Sequence, residues 1–167
     1  MICKNRKPMG NGVAYGGVAV FFKEEKCRLK PVNLVDNPDD FEILSAIGTL
    51  QGHTRKVVII ACYIPPNYNM TRGTGCLDYI QSLVIEAKRR YKDPYVIISG
   101  DFNQWDLGYV MEEFRDIKET VAGPTRGSRR IDRTFSNLDR VQDKGILNPL
   151  QGRSGLSTWK YQFSYYH

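Results

Sequence analysis

Tyr95-Val96-Ile97-Ile98-Ser99-Gly100-Asp101-Phe102-Asn103 decides how this chain is read: an apolar run ends abruptly in an aspartate and an asparagine. β-Branched and aromatic residues following Asp93-Pro94 predict a buried strand. Gly100 is the residue expected to let the backbone turn sharply at its end. In an extended segment, Asp101 and Asn103 project to one side and Phe102 to the other. A carboxylate and an amide side by side at the mouth of a sheet suit the orientation of a water, a hydroxide or a metal-bound phosphate. The plainer alternative is an Asx turn closing a surface loop, and the rest of the chain has to arbitrate.

At 167 residues the chain is expected to form one domain. A chain of this size buries roughly two thirds of its unfolded surface, so a core can form without disulfides or a structural metal. The net charge of +6 suits an anionic partner such as nucleic acid but does not by itself identify one. Cys3, Cys27, Cys62 and Cys76 show no metal-ligand spacing. Cys62 reads as a small core residue, and scattered thiols suit a reducing, intracellular compartment. Residues 1–12 are polar and basic, unlike a signal peptide, and no apolar run reaches the length of a membrane span.

Working outward, Val18–Phe22, Phe41–Ile47 and Val57–Cys62 read as further strands. The last is apolar throughout, as for a central strand covered on both faces, and it runs into Tyr63-Ile64-Pro65-Pro66, where prolines end ladder pairing. Closely spaced strands separated by loop signals predict paired sheets rather than a simple βαβ repeat. Leu77, Ile80, Val84, Ala87 and Tyr91 share one face of a helix opening near Thr74 and stopped by Asp93-Pro94, and a shorter helix is expected over Leu107–Phe114. Lys88-Arg89-Arg90 reads as a solvated helix face or as a binding patch. Beyond Pro124, a Gly/Ser/Arg loop leads into a short strand, Ile131–Phe135, with Asp132 and Thr134 on one face. His53 falls in a loop and reads as exposed turn chemistry. Residues 159–167 are aromatic-rich, without a clear pattern.

Three segments recur here in order: the strand ending in Tyr63 before Pro65-Pro66, Gly100-Asp101-Phe102-Asn103, and Thr125-Arg126 … Ile131-Asp132-Arg133 … Phe135-Ser136-Asn137. Each is weak alone, but the ordered set resembles the deoxyribonuclease I-like endonuclease/exonuclease/phosphatase superfamily, and most closely the endonuclease domain of non-LTR retrotransposons. The resemblance implies an α/β (α+β) fold, a four-layer sandwich of two mixed β-sheets flanked by helices. It implies magnesium-dependent phosphodiester hydrolysis with DNA as partner, in the nucleus. It also implies roles. Asp101 would hold or deprotonate the attacking water and contribute to a metal site, Asn103 would orient the phosphate or nucleophile, and Tyr63 would set its hydroxyl against the phosphate. Asp132 would orient a histidine, and Arg126, Arg129 and Arg130 would hold backbone phosphates without reading sequence. Read without the resemblance, Tyr63 is equally a rim-packing aromatic, Asp132 a paired surface carboxylate, and the arginines a solvated loop.

The chain also departs from the pattern. The family's opening strands, one ending in asparagine and one carrying a metal-binding glutamate, have no counterpart before Gly12, and Gly155-Leu156 stands where a closing Asp-His is expected. Residues 13–150 are therefore read as a partial domain lacking its first strands and its last, and 151–167 as a degenerate aromatic tail. An impaired enzyme is expected, with an inactive nucleic-acid-binding fragment, or a phosphoesterase for small phosphorylated substrates, as alternatives.

Overall fold

The structure is a computed structural model that describes residues 1–5, 17–37, 41–120, 129 and 131–138. The tail expected over 151–167, and the domain limits at 13 and 150, lie outside the described residues. The strands are β1 (Ile2–Asn5), β2 (Gly17–Val20), β3 (Cys27–Pro31), β4 (Ile43–Leu50), β5 (Lys56–Tyr63), β6 (Tyr95–Asp101), β7 (Lys118–Glu119) and β8 (Asp132–Ser136). The helices are α1 (Met70–Arg90) and α2 (Gly108–Met111).

β5 and β6, the two most apolar runs, pair in parallel at the centre of a six-stranded mixed sheet ordered β3-β4-β5-β6-β8-β7, with every other pair antiparallel. A parallel pair needs a crossover, and α1 supplies it. The helix lays Cys76, Leu77, Ile80, Leu83, Val84 and Ala87 against the face that presents Ile43, Ile47, Val58, Ile60, Val96, Ile98 and Phe135. At roughly 1.5–3 kcal/mol for each large apolar side chain withdrawn from water, this layer is the main stabilising contact. β1 and β2 form a separate antiparallel hairpin on the opposite face, packing Ile2, Val18 and Val20 over Leu44, Ala46 and Ala61. Helix, six-stranded sheet and two-stranded sheet make an α/β architecture of two sheets.

α1 begins at Met70, a turn before the expected Thr74, because the Asn69 side chain accepts a hydrogen bond from the Arg72 N–H at 2.9 Å and caps the end. Gly73 within that turn is explained by Trp105, whose ring occupies the space a Cβ would need. The second helix is only four residues long, giving way to turns before Phe114. β2 stops at Val20, leaving Phe21 74% exposed. Lys88, Arg89 and Arg90 are engaged: Lys88 with Asp116 at 2.6 Å, Arg89 and Arg90 with Glu86 at 2.6 and 2.9 Å. They form an ion-paired helix face rather than a binding patch. No helix among the described residues is long and apolar enough to cross a membrane.

Candidate active site

Strand register brings the expected residues together. Tyr63 on β5 pairs with Asp101 on β6, and Asp101 pairs with Asp132 on β8. Residues directly opposite on neighbouring strands project to the same face, with Cβ atoms about 4.5–5.5 Å apart in an antiparallel pair. Tyr63, Asp101 and Asp132 therefore form one row at the end of the sheet. The Tyr63 N–H donates to the Glu42 carbonyl at 2.9 Å, which extends the β4–β5 register by one rung and adds Glu42 to the row. Asp132 is 2% exposed and Glu42 8%, so Asp132 is no surface carboxylate. Behind Asp101 and Asp132, the Ser99 and Thr134 hydroxyls share a hydrogen bond of 2.8 Å.

Gly100 is not the turn. It pairs with Cys62 and Arg133 inside the ladder, and a Cβ there would overlap the Cys62 carbonyl oxygen and come within 2.7 Å of its sulfur. It is a close-approach glycine that lets β5 and β6 meet beneath the row. The turn comes at Asn103, in the left-handed region at φ 49°. The Asn103 N–H donates to Asp101 Oδ1 at 3.0 Å, and Asn103 Nδ2 donates to the Ile64 carbonyl at 2.9 Å. The expected extended arrangement of Asp101 and Asn103 is thereby corrected: an Asx turn ties them together at the strand end. Phe102 points into the helix-side core, edge-on to Phe135 at 6.0 Å. The Phe102 N–H donates to the Ile131 carbonyl at 2.7 Å, and the Ile64 N–H donates to the Asp101 carbonyl at 2.9 Å. Both bonds hold the turn rigidly on its neighbours.

The acids act on nearby thiols. Burial, then Cys76, then the Asp101 carboxylate push the Cys62 thiol well above its ordinary range. Burial pushes Cys76 up to about 12, with Arg72 pulling down and Glu42 adding to the rise. Both are neutral packing residues, as expected for Cys62, and neither suits a thiolate nucleophile. Arg129 is exposed, whereas Arg126 and Arg130 lie outside the described residues. His53 is half-buried, edge-on to Tyr95 at 5.9 Å and at the far end of the sheet from the row, so it is not plain exposed turn chemistry.

Glu42 is the residue that sequence reading missed. It lies within the expected strand Phe41–Ile47 but in no motif, and only the pairing of that strand with β5 puts it beside Tyr63. The donors among the described residues do not by themselves fit the divalent cation that the family resemblance implies. The buried oxygens Glu42 Oε2 and Asp132 Oδ2 accept no hydrogen bond, although both residues have other interactions. Yet three strand spacings of about 4.8 Å, roughly 14 Å, separate their backbones. Among the described residues, no group of three or more His, Cys, Asp and Glu side chains is placed to share an ion.

No protein-family model and no curated protein matches the chain. Solved structures do. An endonuclease/exonuclease/phosphatase family protein from Bacteroides thetaiotaomicron superposes with a TM-score of 0.52 at 13% identity, over 69% of this chain and 53% of that one. The endonuclease domain of TRAS1, a telomere-specific non-LTR retrotransposon, gives 0.48 at 15% identity, over 80% of this chain and 64% of that one. A humanized D. rerio TDP2 gives 0.47 at 12% identity, over 75% and 60%. The chain spans about half the length of the first of these structures. At such identities the likeness is one of fold: this chain has the fold of the endonuclease/exonuclease/phosphatase superfamily.

Proposed function

We propose that the chain belongs to a phosphodiester hydrolase acting on DNA, an endonuclease of the non-LTR retrotransposon type, and that Tyr63, Asp101, Asn103 and Asp132 are its reacting set. The observation that carries this reading is the single row of Tyr63, Asp101 and Asp132 across three strands, with Asn103 tied to its centre. Hydrolysis of a phosphodiester needs a group that takes a proton from water and donors that meet the negative charge developing on phosphorus oxygens. Asp101, half-buried and held by the Asn103 N–H, is the acceptor for that proton. The Tyr63 hydroxyl is the donor toward a phosphate oxygen. Asn103, with its amide nitrogen committed to Ile64, orients through its carbonyl oxygen. Asp132 supplies the second acid, and Arg126, Arg129 and Arg130 meet flanking backbone phosphates, giving affinity without sequence reading.

A second reading, nucleic-acid binding without cleavage, is favoured by the net charge of +6. Supercoiled plasmid incubated with the protein in a magnesium buffer separates the two. Nicking that disappears in Asp101→Ala supports the hydrolase. Retention of the plasmid on the protein with no nicking by either form supports the binding reading.

A further inference from the structure

Arg133 stands next to Asp132 in the chain but on the other face of β8, and its side chain is only 12% exposed. Its guanidinium makes a two-pronged contact with Glu119 on β7, Nε to Oε1 at 2.9 Å and Nη2 to Oε2 at 3.0 Å. Nη1 donates to Asp106 Oδ1, and the group lies 4.8 Å over the Phe135 ring. Asp106 belongs to the loop that follows Asn103, and the same Oδ1 accepts the Gly108 N–H at 2.8 Å as α2 begins. One planar cation thus joins β7, β8 and the loop that carries Asn103. A fork of this kind fixes geometry as well as charge, which a lysine ammonium does not.

We propose that Arg133 is a positioning residue: by clamping the 102–108 loop to β8, it sets Asn103 and Asp101 against Asp132 across the site. The inference rests on reading those residues as the reacting set, and it extends that set to a side chain on the opposite face of the sheet. Arg133 touches no reacting atom and acts only through the loop and the strand.

The test pairs nicking kinetics with amide hydrogen exchange in Arg133→Lys, and in Asp106→Asn, which removes the charge yet keeps the acceptor for Gly108. In both variants kcat falls about tenfold, as when a partner that orients a reacting side chain is lost, while KM stays within about twofold. Exchange at residues 103–106 speeds up by at least about tenfold, with β5 unchanged, because the clamp restrains that loop locally. Unaltered exchange at 103–106, or exchange rising equally in the loop and β5, overturns the clamp, as does a loss that appears in KM alone. If Arg133→Lys does not fold, Asp106→Asn decides by the same readings. A wild-type protein that nicks nothing sinks the hydrolase reading, and loop exchange then decides the clamp on its own.

Discussion

The two ends of the central sheet handle charge in opposite ways. At the β4–β5 turn, Arg55 pairs with the Asp93 carboxylate at 2.9 Å, donates to the Asp93 carbonyl at 2.8 Å and lies 3.9 Å over the Tyr95 ring. Opposite signs meet near the surface, and the arrangement is self-contained. At the other end, Glu42, Asp101 and Asp132 bring like charge onto neighbouring strands around Tyr63, two of the three acids buried. Gathering like charges out of water costs stability, and folded proteins place that cost where chemistry is done. The lesson is that charge by itself marks nothing here. Lys88, Arg89 and Arg90, the most conspicuous basic run in α1, spend their charge on Glu86 and Asp116.

The contrast is broken most severely through the reacting set. Asp101→Ala is expected to slow nicking by about 10²–10⁴-fold, the usual cost of losing a general base. Arg55→Ala at the other end should leave nicking unchanged and cost at most about 1 kcal/mol in urea unfolding. Equal losses from both ends would erase the distinction. Next comes Gly100→Ala, which drives a methyl group into the Cys62 backbone and should destabilise by about 3 kcal/mol in denaturant titration, at the upper end for overpacking. A smaller effect comes from Asn103. Asn103→Ala keeps the left-handed backbone but loses the bond to Ile64, whereas Asn103→Gly relieves the strain, so the alanine form should be less stable by about 1–2 kcal/mol. Both variants should lose nicking if the side chain orients the reaction, which separates its chemical role from its backbone role.

The smallest effect belongs to the two ion pairs that Glu86 makes on α1. Hydrogen bonds from Arg89 and then Arg90 lower the Glu86 carboxyl from an ordinary 4.5 to about 2. A carboxyl lowered in the folded state stabilises at pH above its unfolded value, and that contribution is lost as pH falls through its folded value. Glu86→Gln should therefore flatten the acid side of the stability curve slightly between pH 4.5 and about 2, as read by thermal melts across that range. Nicking near neutral pH should not change.

Much of the fold could be read from pattern alone. β5, β6 and α1 are long, apolar and strongly periodic, and the motifs that carry Tyr63, Asp101 and Asp132 fall on strand ends that the register sets side by side, with Asn103 in the turn that follows. What escaped was non-local or conformational. Glu42 joins the row only because β4 runs antiparallel to β5, a pairing no local window encodes. Gly100 looked like a turn residue, since a sequence does not distinguish close approach from positive φ, and the left-handed residue proved to be Asn103. The Gly73 and Gly75 pair weakened the helical signal at the start of α1, although Asn69 supplied a cap. β1, β3 and β7, at four, five and two residues, are short edge strands whose order depends on their neighbours. Arg133 fell within a motif segment but was given no role there, because its partners, Asp106 and Glu119, come from elsewhere in the chain.

Whether the row acts as one unit is decided most directly by a double-mutant cycle on plasmid nicking with Asp101→Asn and Asp132→Asn. Groups that serve a single reacting phosphate lose their effects together, so the double variant should be no slower than the slower single variant. Losses that multiply across the cycle would mean that the two acids work apart, and the shared site would be wrong.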